Sequence, residues 1–390
     1  GGGAVEKDSD MITVAGVQVP VVVTNGTAQL DLDKDMMNQL IANENNGIVM
    51  LDLSSLGDIT SAVIPAAAFN ALSASNDVDG LLVSLSAADL TFDSAAIAAI
   101  GATGNGDVAL NATMVEKTKL TDEQQQLIGD RPVIDLTLTV GGKTISDFGT
   151  GKVEVSVPYT LKTGEDPDSV VIWYLNDAGV LESVTGQYDS TTKSVVFTTD
   201  HFSKYVIGSL PFTDVSRDQW YFDNVSFVYA NNLFLGTSDT NFTPKATMTR
   251  AMLVTVLWRM EGEPTASGNS FNDVAAGEWY TNAVSWAAAN GIVSGYGNGL
   301  FGTNDLITRE QTATILMNYA KYKGYDVSAT ANLGNYNDAE SISSWAKAAM
   351  QWANAEGLIN GSGNNLDPNG NSQRCQVAAI LQRFIENCSK

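Results

Sequence analysis

The chain contains few of the residues that build metal clusters, disulfide frameworks and histidine-dependent active sites. Its 390 residues include two cysteines and one histidine. A lone histidine excludes paired-histidine metal sites and makes any Ser-His-Asp triad depend on His201, whose setting in Thr199-Asp200-His201-Phe202 favours a turn between strands. If Cys375 and Cys388 share the last helix, a rise of about 1.5 Å per residue separates them by roughly 20 Å, whereas a disulfide needs Cα atoms within about 7 Å. We therefore expect no intrachain disulfide, no metal and no cofactor.

Basic residues and long apolar runs are also scarce. The chain has 21 lysines and arginines against 44 aspartates and glutamates, a net charge of −23, and residues 1–210 hold 28 of the acidic and 10 of the basic side chains. Such a surface repels nucleic acid and anionic lipid. No run of about 18 apolar residues occurs, so no membrane span is predicted. Neither a phosphate-binding loop nor a dinucleotide fingerprint is present, and we expect no enzymatic activity.

What the chain does contain is one sequence unit in three copies. An aromatic residue and an Asp two positions later are followed by Trp and then by Arg, in this order: Phe212, Asp214, Trp220 and Arg250; Phe271, Asp273, Trp279 and Arg309; Tyr336, Asp338, Trp345 and Arg374. The first two copies are 59 positions apart, and the second and third are 65 or 66 positions apart. A fixed period with these residues in step indicates a repeat architecture.

Each copy predicts two amphipathic helices, the second of which begins at its arginine. Thr308 and Gln311 have the spacing of a capping box, which places Arg309 in the first helical turn. The helix dipole disfavours a cation there, yet all three copies have one. Arginine beside free backbone N–H groups suits an anion, because the guanidinium binds a carboxylate through two hydrogen bonds and the helix start adds donors. We therefore expect an anion site at each arginine, with a structural ion pair as the alternative role.

These units resemble S-layer homology repeats, the wall-anchoring modules of many bacterial surface proteins. The resemblance covers roughly residues 211–387, where the Phe-x-Asp, Trp, Gly-x-x-x-Gly and Thr-Arg elements follow in order. It implies that residues 210–390 form an all-α pseudo-threefold trimer of helical repeats, at 211–262, 270–323 and 335–388. It also implies a partner bound in the grooves between repeats, a secondary cell-wall polysaccharide that often ends in a pyruvate ketal on N-acetylmannosamine.

The resemblance gives nine residues a role in binding. The arginines would bind the ketal carboxylate, the tryptophans would line the sugar face and the glycines would let the backbone approach: Arg250, Arg309 and Arg374; Trp220, Trp279 and Trp345; Gly236, Gly295 and Gly361. The tryptophans could instead be core anchors. The first copy lacks the acid of the family's Thr-Arg-Ala-Glu element and the third lacks its threonine, so we rank the groove of Arg309 first. Arg309→Ala should weaken polymer binding far more than Arg383→Ala.

The N-terminal half favours strands interrupted by short helices. Alternating valines such as Val153, Val155 and Val157 predict a β-rich domain at 1–115 and a β-sandwich-like domain at 116–209. Short helices are expected after Pro65 and after Asp93. The expected fold class is therefore multidomain α+β, with a β-rich N-terminal region. Parts of residues 155–205 resemble the β-rich segment that often precedes S-layer homology repeats, which implies a display role without known chemistry.

Three hypotheses follow for the whole chain. The first is an extracellular protein of a Gram-positive bacterium, anchored to the cell wall through polysaccharide. In the second, the N-terminal half is an adhesin or carbohydrate-binding module, with exposed aromatics around Trp173 and Tyr174 as its surface, and the repeats only deliver it. In the third, the repeats mainly drive self-association into a surface lattice.

Overall fold

The computed structural model describes residues 10–44, 46–268 and 271–388. The chain forms two compact units, residues 1–210 and residues 211–390. The first is β-rich with short helices and the second is helical, as the sequence predicted.

The first unit alternates strands with short helices. Its strands are β1 (Asp10–Val14), β2 (Val17–Thr24), β3 (Thr27–Leu30), β4 (Ile48–Asp52), β5 (Ser61–Ile64), β6 (Gly80–Ser84), β7 (Asp89–Asp93), β8 (Val108–Met114), β9 (Val133–Val140), β10 (Lys143–Thr144), β11 (Val153–Pro158), β12 (Val170–Leu175), β13 (Leu181–Val184), β14 (Gly186–Asp189), β15 (Ser194–Thr199) and β16 (Lys204–Ser209). Its helices are α1 (Lys34–Asn43), α2 (Ala66–Ala74), α3 (Ser94–Gly101) and α4 (Asp122–Ile128).

Within the described residues, these strands form two sheets that share a core. One sheet has ten strands in the order β1-β2-β3-β5-β8-β9-β16-β12-β13, with β10 on β9, and the other has six in the order β14-β15-β11-β7-β6-β4. Side chains alternate between the faces of a strand, so the alternating valines of β11, Val153, Val155 and Val157, are all buried. They belong to a continuous apolar cluster that draws on both sheets.

The strands on either side of residue 115 belong to the same sheet. β8 pairs with β9 antiparallel from Val108–Val140 to Met114–Ile134. In place of the expected division into 1–115 and 116–209, residues 1–210 therefore make one unit. The physical reason is that β8 completes its hydrogen bonding with a strand from beyond the expected boundary. The short helices lie where they were predicted, and Asp93 caps α3 by accepting the N–H of Ala96 at 2.7 Å.

Within the described residues, the second unit contains three helix pairs, one for each repeat. The helices are α5 (Phe222–Ala230), α6 (Arg250–Met260), α7 (Thr281–Ala289), α8 (Arg309–Lys323), α9 (Lys347–Ala355) and α10 (Arg374–Cys388). The second helix of each repeat packs on the first helix of another: α6 on α7, α8 on α9, and α10 back on α5. Cys375 and Cys388 both lie in α10 and are free and buried.

Three backbone hydrogen bonds join the repeats in a closed ring. Ile307 N–H donates to Met248 O, Ser372 N–H donates to Ile307 O, and Met248 N–H donates to Ser372 O, each at 2.9 Å. In each repeat this residue lies two positions before the arginine that starts the second helix. The ring therefore brings the three arginine-bearing helix starts close to one another.

Candidate ligand-binding grooves

The three arginines make equivalent contacts at the starts of α6, α8 and α10. The Nε of each donates to a loop carbonyl of a different repeat, at 2.8 to 3.0 Å. The pairs are Arg250 with Phe301, Arg309 with Leu366 and Arg374 with Phe242. Each guanidinium is thereby fixed at the boundary between two repeats.

The loops that accept these hydrogen bonds are shaped by the repeat aspartates. In the second repeat, Asp273 accepts the backbone N–H groups of Phe301 and Gly302 at 2.8 and 2.7 Å. Asp214 and Asp338 do the same in the other two repeats. Burial alone would raise the pKa of Asp273, but hydrogen bonds from these N–H groups hold that pKa below its usual range. The aspartates therefore build the groove walls through backbone contacts.

The expectation of free N–H groups at the helix starts is wrong. The N–H of each arginine donates to a carbonyl of another repeat: Arg250 to Asp305, Arg309 to Gly370 and Arg374 to Ala246, at 2.9 to 3.0 Å. Thr308 accepts the N–H of Gln311, as the capping-box pattern predicted, and Thr249 accepts the N–H of Met252 in the same way. Contacts between repeats thus use the backbone N–H of each arginine, and the guanidinium groups are left as candidate partners for an anion.

The guanidinium groups are buried or half-buried, and none has a carboxylate partner among the residues that the structure describes. Arg250 and Arg374 are 6% and 7% exposed, and Arg309 is half-buried. Burial lowers the pKa of all three, that of Arg374 to about 10, so each stays cationic at neutral pH. Among the described residues, no carboxylate oxygen lies within salt-bridge distance of any of them. The alternative role as internal ion pairs therefore has no partner in this part of the chain.

One cavity of about 880 Å³ lies at Arg309, and we call it the Arg309 groove. Besides Arg309 it is lined by Gly361 and Trp220, so each of the three repeats contributes one predicted residue. Gln376 and Arg383 of α10 complete its wall. Arg383→Ala was the comparison variant for Arg309→Ala, and the position of Arg383 in the groove removes it as a control.

A second cavity, of about 250 Å³, lies at Arg250, and we call it the Arg250 groove. It repeats the same arrangement with Gly295 and Trp345. Tyr296 also lines this groove, and its ring lies 4.9 Å from the Arg250 guanidinium. The Tyr296 hydroxyl donates to Asp305 at 3.0 Å. The two grooves therefore share a plan and differ in volume and lining.

The remaining predicted residues are Arg374, Gly236 and Trp279. The Nη2 of Arg374 donates to Leu235 O at 2.8 Å, directly before Gly236. The guanidinium also lies 4.5 Å from the centroid of the Phe242 ring. Trp279 is 53% exposed, and Trp220 and Trp345 are 63% and 57% exposed. The three tryptophans are therefore surface side chains, and the core-anchor alternative is wrong.

Close packing inside each repeat requires the three predicted glycines. A Cβ on Gly236, Gly295 or Gly361 would collide with a backbone carbonyl in the same loop, that of Ser238, Leu300 or Asn365. Gly361 also has a φ of +72°, which side chains disfavour. The tight turn alone thus requires glycine, whatever a ligand adds to that requirement.

Sequence reasoning missed the buried carboxylate of Glu310. It is 3% exposed and accepts both the N–H and the hydroxyl of Ser343, at 2.9 and 2.7 Å. Ser343 lies two residues before Trp345 of the Arg250 groove. The equivalent positions are Ala251 and Cys375, so aligning the repeats could have singled out this acid.

The aromatic surface expected in the first unit is only half present. Trp173 is completely buried, so it cannot be an exposed platform. Tyr174 is half-buried and lines a cleft of about 590 Å³ together with His201 and Asn176.

Comparison with known proteins gives the second unit a family. The S-layer homology domain model matches residues 211–251, 270–313 and 335–371. The amylopullulanase of Thermoanaerobacterium thermosulfurigenes is 29% identical over 381 residues, which are 94% of this chain and 20% of that protein. The exoglucanase XynX of Acetivibrio thermocellus is 33% identical over 184 residues, 46% of this chain and 16% of that protein.

A third relative is itself a surface-layer protein. The surface-layer 125 kDa protein of Lysinibacillus sphaericus is 31% identical over 156 residues, 39% of this chain and 13% of that protein. The chain thus spans a fifth or less of the length of these relatives. Across the described ranges, no helix has the length and apolarity needed to cross a membrane. The chain is a cell-surface protein, and its residues 211–251, 270–313 and 335–371 are three S-layer homology domains.

Proposed function

We propose that the S-layer homology domains hold this chain non-covalently on the bacterial cell wall by binding an acidic secondary cell-wall polysaccharide. In this proposal, a terminal pyruvate ketal places its carboxylate at Arg309. The three repeats act together as a pseudo-threefold trimer of helical repeats, which the hydrogen-bonded ring of Met248, Ile307 and Ser372 supports. The observation that carries the proposal is a half-buried guanidinium in a groove that also contains an exposed tryptophan. Within the described ranges, this guanidinium has no carboxylate partner.

Of the three repeat arginines, Arg309 keeps the most guanidinium N–H groups for a ligand. Its Nε is used by Leu366 O, but no acceptor within the described residues takes a hydrogen bond from either Nη. In contrast, Arg250 and Arg374 each give Nη2 to a loop carbonyl, at 3.3 and 2.8 Å. A carboxylate can bind both Nη groups of Arg309 side by side. This supports the ranking of the Arg309 groove as the principal site.

The energetics require more than one contact. A hydrogen-bonded charged contact contributes about 1.5–3 kcal/mol net, which corresponds to roughly 10-fold to 150-fold in affinity. A partly desolvated cation that lacks a counterion is costly, so the incoming carboxylate also relieves that cost. The exposed face of Trp220 offers apolar surface to the sugar ring. Anchoring is therefore expected from the charged contact and sugar contacts together.

The test is calorimetric titration of the full chain with purified pyruvylated wall polysaccharide. Arg309→Ala should lower the affinity by at least about 10-fold, because it removes the charged contact. Lys321→Ala removes a positive charge from the exposed end of the same helix and should have no effect. Removing the ketal from the polymer by mild acid should abolish binding to the unaltered protein. Equal binding of the intact and ketal-free polymer would contradict the proposal.

For the first unit we propose display at the cell surface, without enzymatic activity. A carbohydrate-binding role is the second candidate, because the cleft at Tyr174 combines an aromatic ring with polar groups such as Asn176 and Asp177. A glycan array with the full chain carrying Arg309→Ala tests it. Signals that disappear when Tyr174→Ala is added would support the second candidate. Sedimentation at rising concentration distinguishes both from self-association into a lattice.

A further inference from the structure

The Arg309 groove contains a second arginine that the Arg250 groove lacks. Arg383 lies nine residues after Arg374 on α10, and Asn318 lies nine residues after Arg309 on α8. Each of the two lines the groove formed by its own helix. The two grooves thus offer an internal comparison, with a cation in one and a neutral amide at the same place in the other.

The two side chains make the same structural hydrogen bond. Arg383 donates from Nη1 to Leu358 O at 3.4 Å, and Asn318 donates from Nδ2 to Ile292 O at 3.2 Å. Leu358 and Ile292 occupy equivalent places, each directly after the glycine that follows the first helix. Because the neutral amide already satisfies this carbonyl, the repeat fold does not require the positive charge of Arg383.

Arg383 also forms no ion pair with an acidic residue in the part of the chain that the structure describes. Two carboxylates line the groove: Asp338, which is engaged by two backbone N–H groups, and the exposed Asp367. In the described part of the chain, neither lies within salt-bridge distance of Arg383 or Arg309. Arg259, which occupies the equivalent position in the first repeat, has Glu263 at 3.9 Å. An arginine without an ion pair among the described residues, in a chain with about twice as many acidic as basic residues, indicates an external anionic partner.

We propose that Arg383 is a second ligand-binding cation, so that the Arg309 groove binds a saccharide segment with two acidic groups. One carboxylate lies at Arg309, and a second carboxylate or a phosphate lies at Arg383. The Arg250 groove, with Asn318 in that place, binds a segment with one acidic group. The volumes of about 880 and 250 Å³ agree with a longer segment in the first. This inference rests on the proposed function.

Three synthetic probes separate the contributions. The first is pyruvylated N-acetylmannosamine, with one acidic group. The second and third extend it by a uronic acid or by a phosphorylated N-acetylglucosamine, which distinguishes a carboxylate from a phosphate at Arg383. In titrations of the full chain, at least one extended probe should bind about 10-fold or more tightly than the first, as expected for one added charged hydrogen bond. Arg383→Asn should remove that advantage, so that its loss of affinity for an extended probe is much larger than any loss for the first probe.

The matched variants distinguish a failure of this inference from a failure of the proposed function. Arg309→Ala should weaken all three probes, and its lack of effect would contradict the proposed function. Asn318→Arg should add a preference for an extended probe at the Arg250 groove. Equal affinity of the unaltered protein for all probes would overturn the inference. So would an equal loss for all probes in Arg383→Asn, since Arg383 would then only support the groove wall.

Discussion

At the residue scale, the repeat arginines are cations placed where a helix alone would disfavour them. The positive end of the helix dipole lies at the first turn, where Arg250, Arg309 and Arg374 are located. Loop carbonyls from another repeat accept from each Nε and so supply negative partial charge. The local electrostatic cost is thus offset by tertiary contacts, and the guanidinium keeps its charge for a ligand.

A pH series tests this account of the charges. The repeat unit has no histidine, and burial raises the pKa of Cys388 to about 11. The lowered pKa of Arg374, about 10, is still above the physiological range, so this guanidinium stays protonated below it. Affinity for the pyruvylated polymer should therefore be constant from about pH 6 to pH 9. It should fall towards about pH 3.5 as the ligand carboxylate becomes protonated. A midpoint near neutrality in the titrations would contradict the carboxylate–arginine contact.

Glu310 gives a second prediction at this scale. Glu310→Ala leaves the N–H and hydroxyl of Ser343 without their acceptor, which should lower the free energy of unfolding by about 1–3 kcal/mol. The segment that leads to Trp345 would lose its anchor. Denaturant unfolding measures the loss of stability. Ligand titration of the Arg250 groove measures the effect of the lost anchor on binding. Glu310→Gln keeps an acceptor and should behave more like the unaltered chain; identical losses in both variants would contradict the positioning role.

At the element scale, the loop before each second helix connects an aspartate of its own repeat to an arginine of another repeat. An aspartate fixes the loop by accepting two backbone N–H groups, and the loop carbonyl then accepts from the arginine of another repeat. In the second repeat this runs from Asp273 through Phe301 to Arg250. The loop is short and irregular, yet the N–H groups of Phe301 and Gly302 and the carbonyl of Phe301 all have hydrogen-bond partners, as the backbone groups of a capped helix end do.

Asp273→Ala should therefore loosen the loop and the Arg250 groove together. Hydrogen bonds to a charged group suggest a loss of roughly 2–3 kcal/mol in unfolding free energy. Because the pKa of Asp273 is lowered on folding, its contribution is present above the unfolded pKa of about 4 and is lost as pH falls through the folded pKa. The difference between the unaltered chain and the variant should thus shrink in acid. Asp239→Ala, at an exposed position, is the control, and equal melting of both variants would count against the loop account.

At the scale of the whole molecule, the three repeats close on themselves. α10 of the third repeat packs on α5 of the first, and the ring of Met248, Ile307 and Ser372 needs one residue from each repeat. A repeat taken alone would expose the apolar face of its second helix. Closure explains why a helix pair can be short and yet belong to a stable unit, because each pair buries its faces against the other two.

Truncation after residue 334 tests closure. It removes α9 and α10, so the apolar faces of α5 and α8 lose their partners and one ring residue is missing. We expect residues 211–334 to lose protection against limited proteolysis, while the β-rich unit of residues 1–210 stays resistant. Arg374→Ala in the full chain is the milder control, since it removes side-chain contacts and keeps both helices. Unchanged resistance of the truncated repeats would show that closure is not needed.

Much of the fold and part of the site could be predicted from residues near one another in sequence. The helix starts at Arg250 and Arg309, the caps Thr249 and Thr308, and the alternation of β11 all depend on local patterns. The pairing of β8 with β9 could not be predicted, because it joins segments on either side of a helix. Contacts between repeats likewise decide that the helix-start N–H groups are hydrogen-bonded and that Arg383 lies in the Arg309 groove.

The sequence by itself determined that three equivalent repeats exist, which residues recur in them, and that each arginine begins a helix. Only the tertiary structure decided how those residues combine, with Arg309, Gly361 and Trp220 in one groove although each comes from a different repeat. The reason is physical: a period in sequence fixes local hydrogen bonding and apolar faces. Which repeat meets which is set by the closure of the ring and by the packing of each second helix on a distant first one.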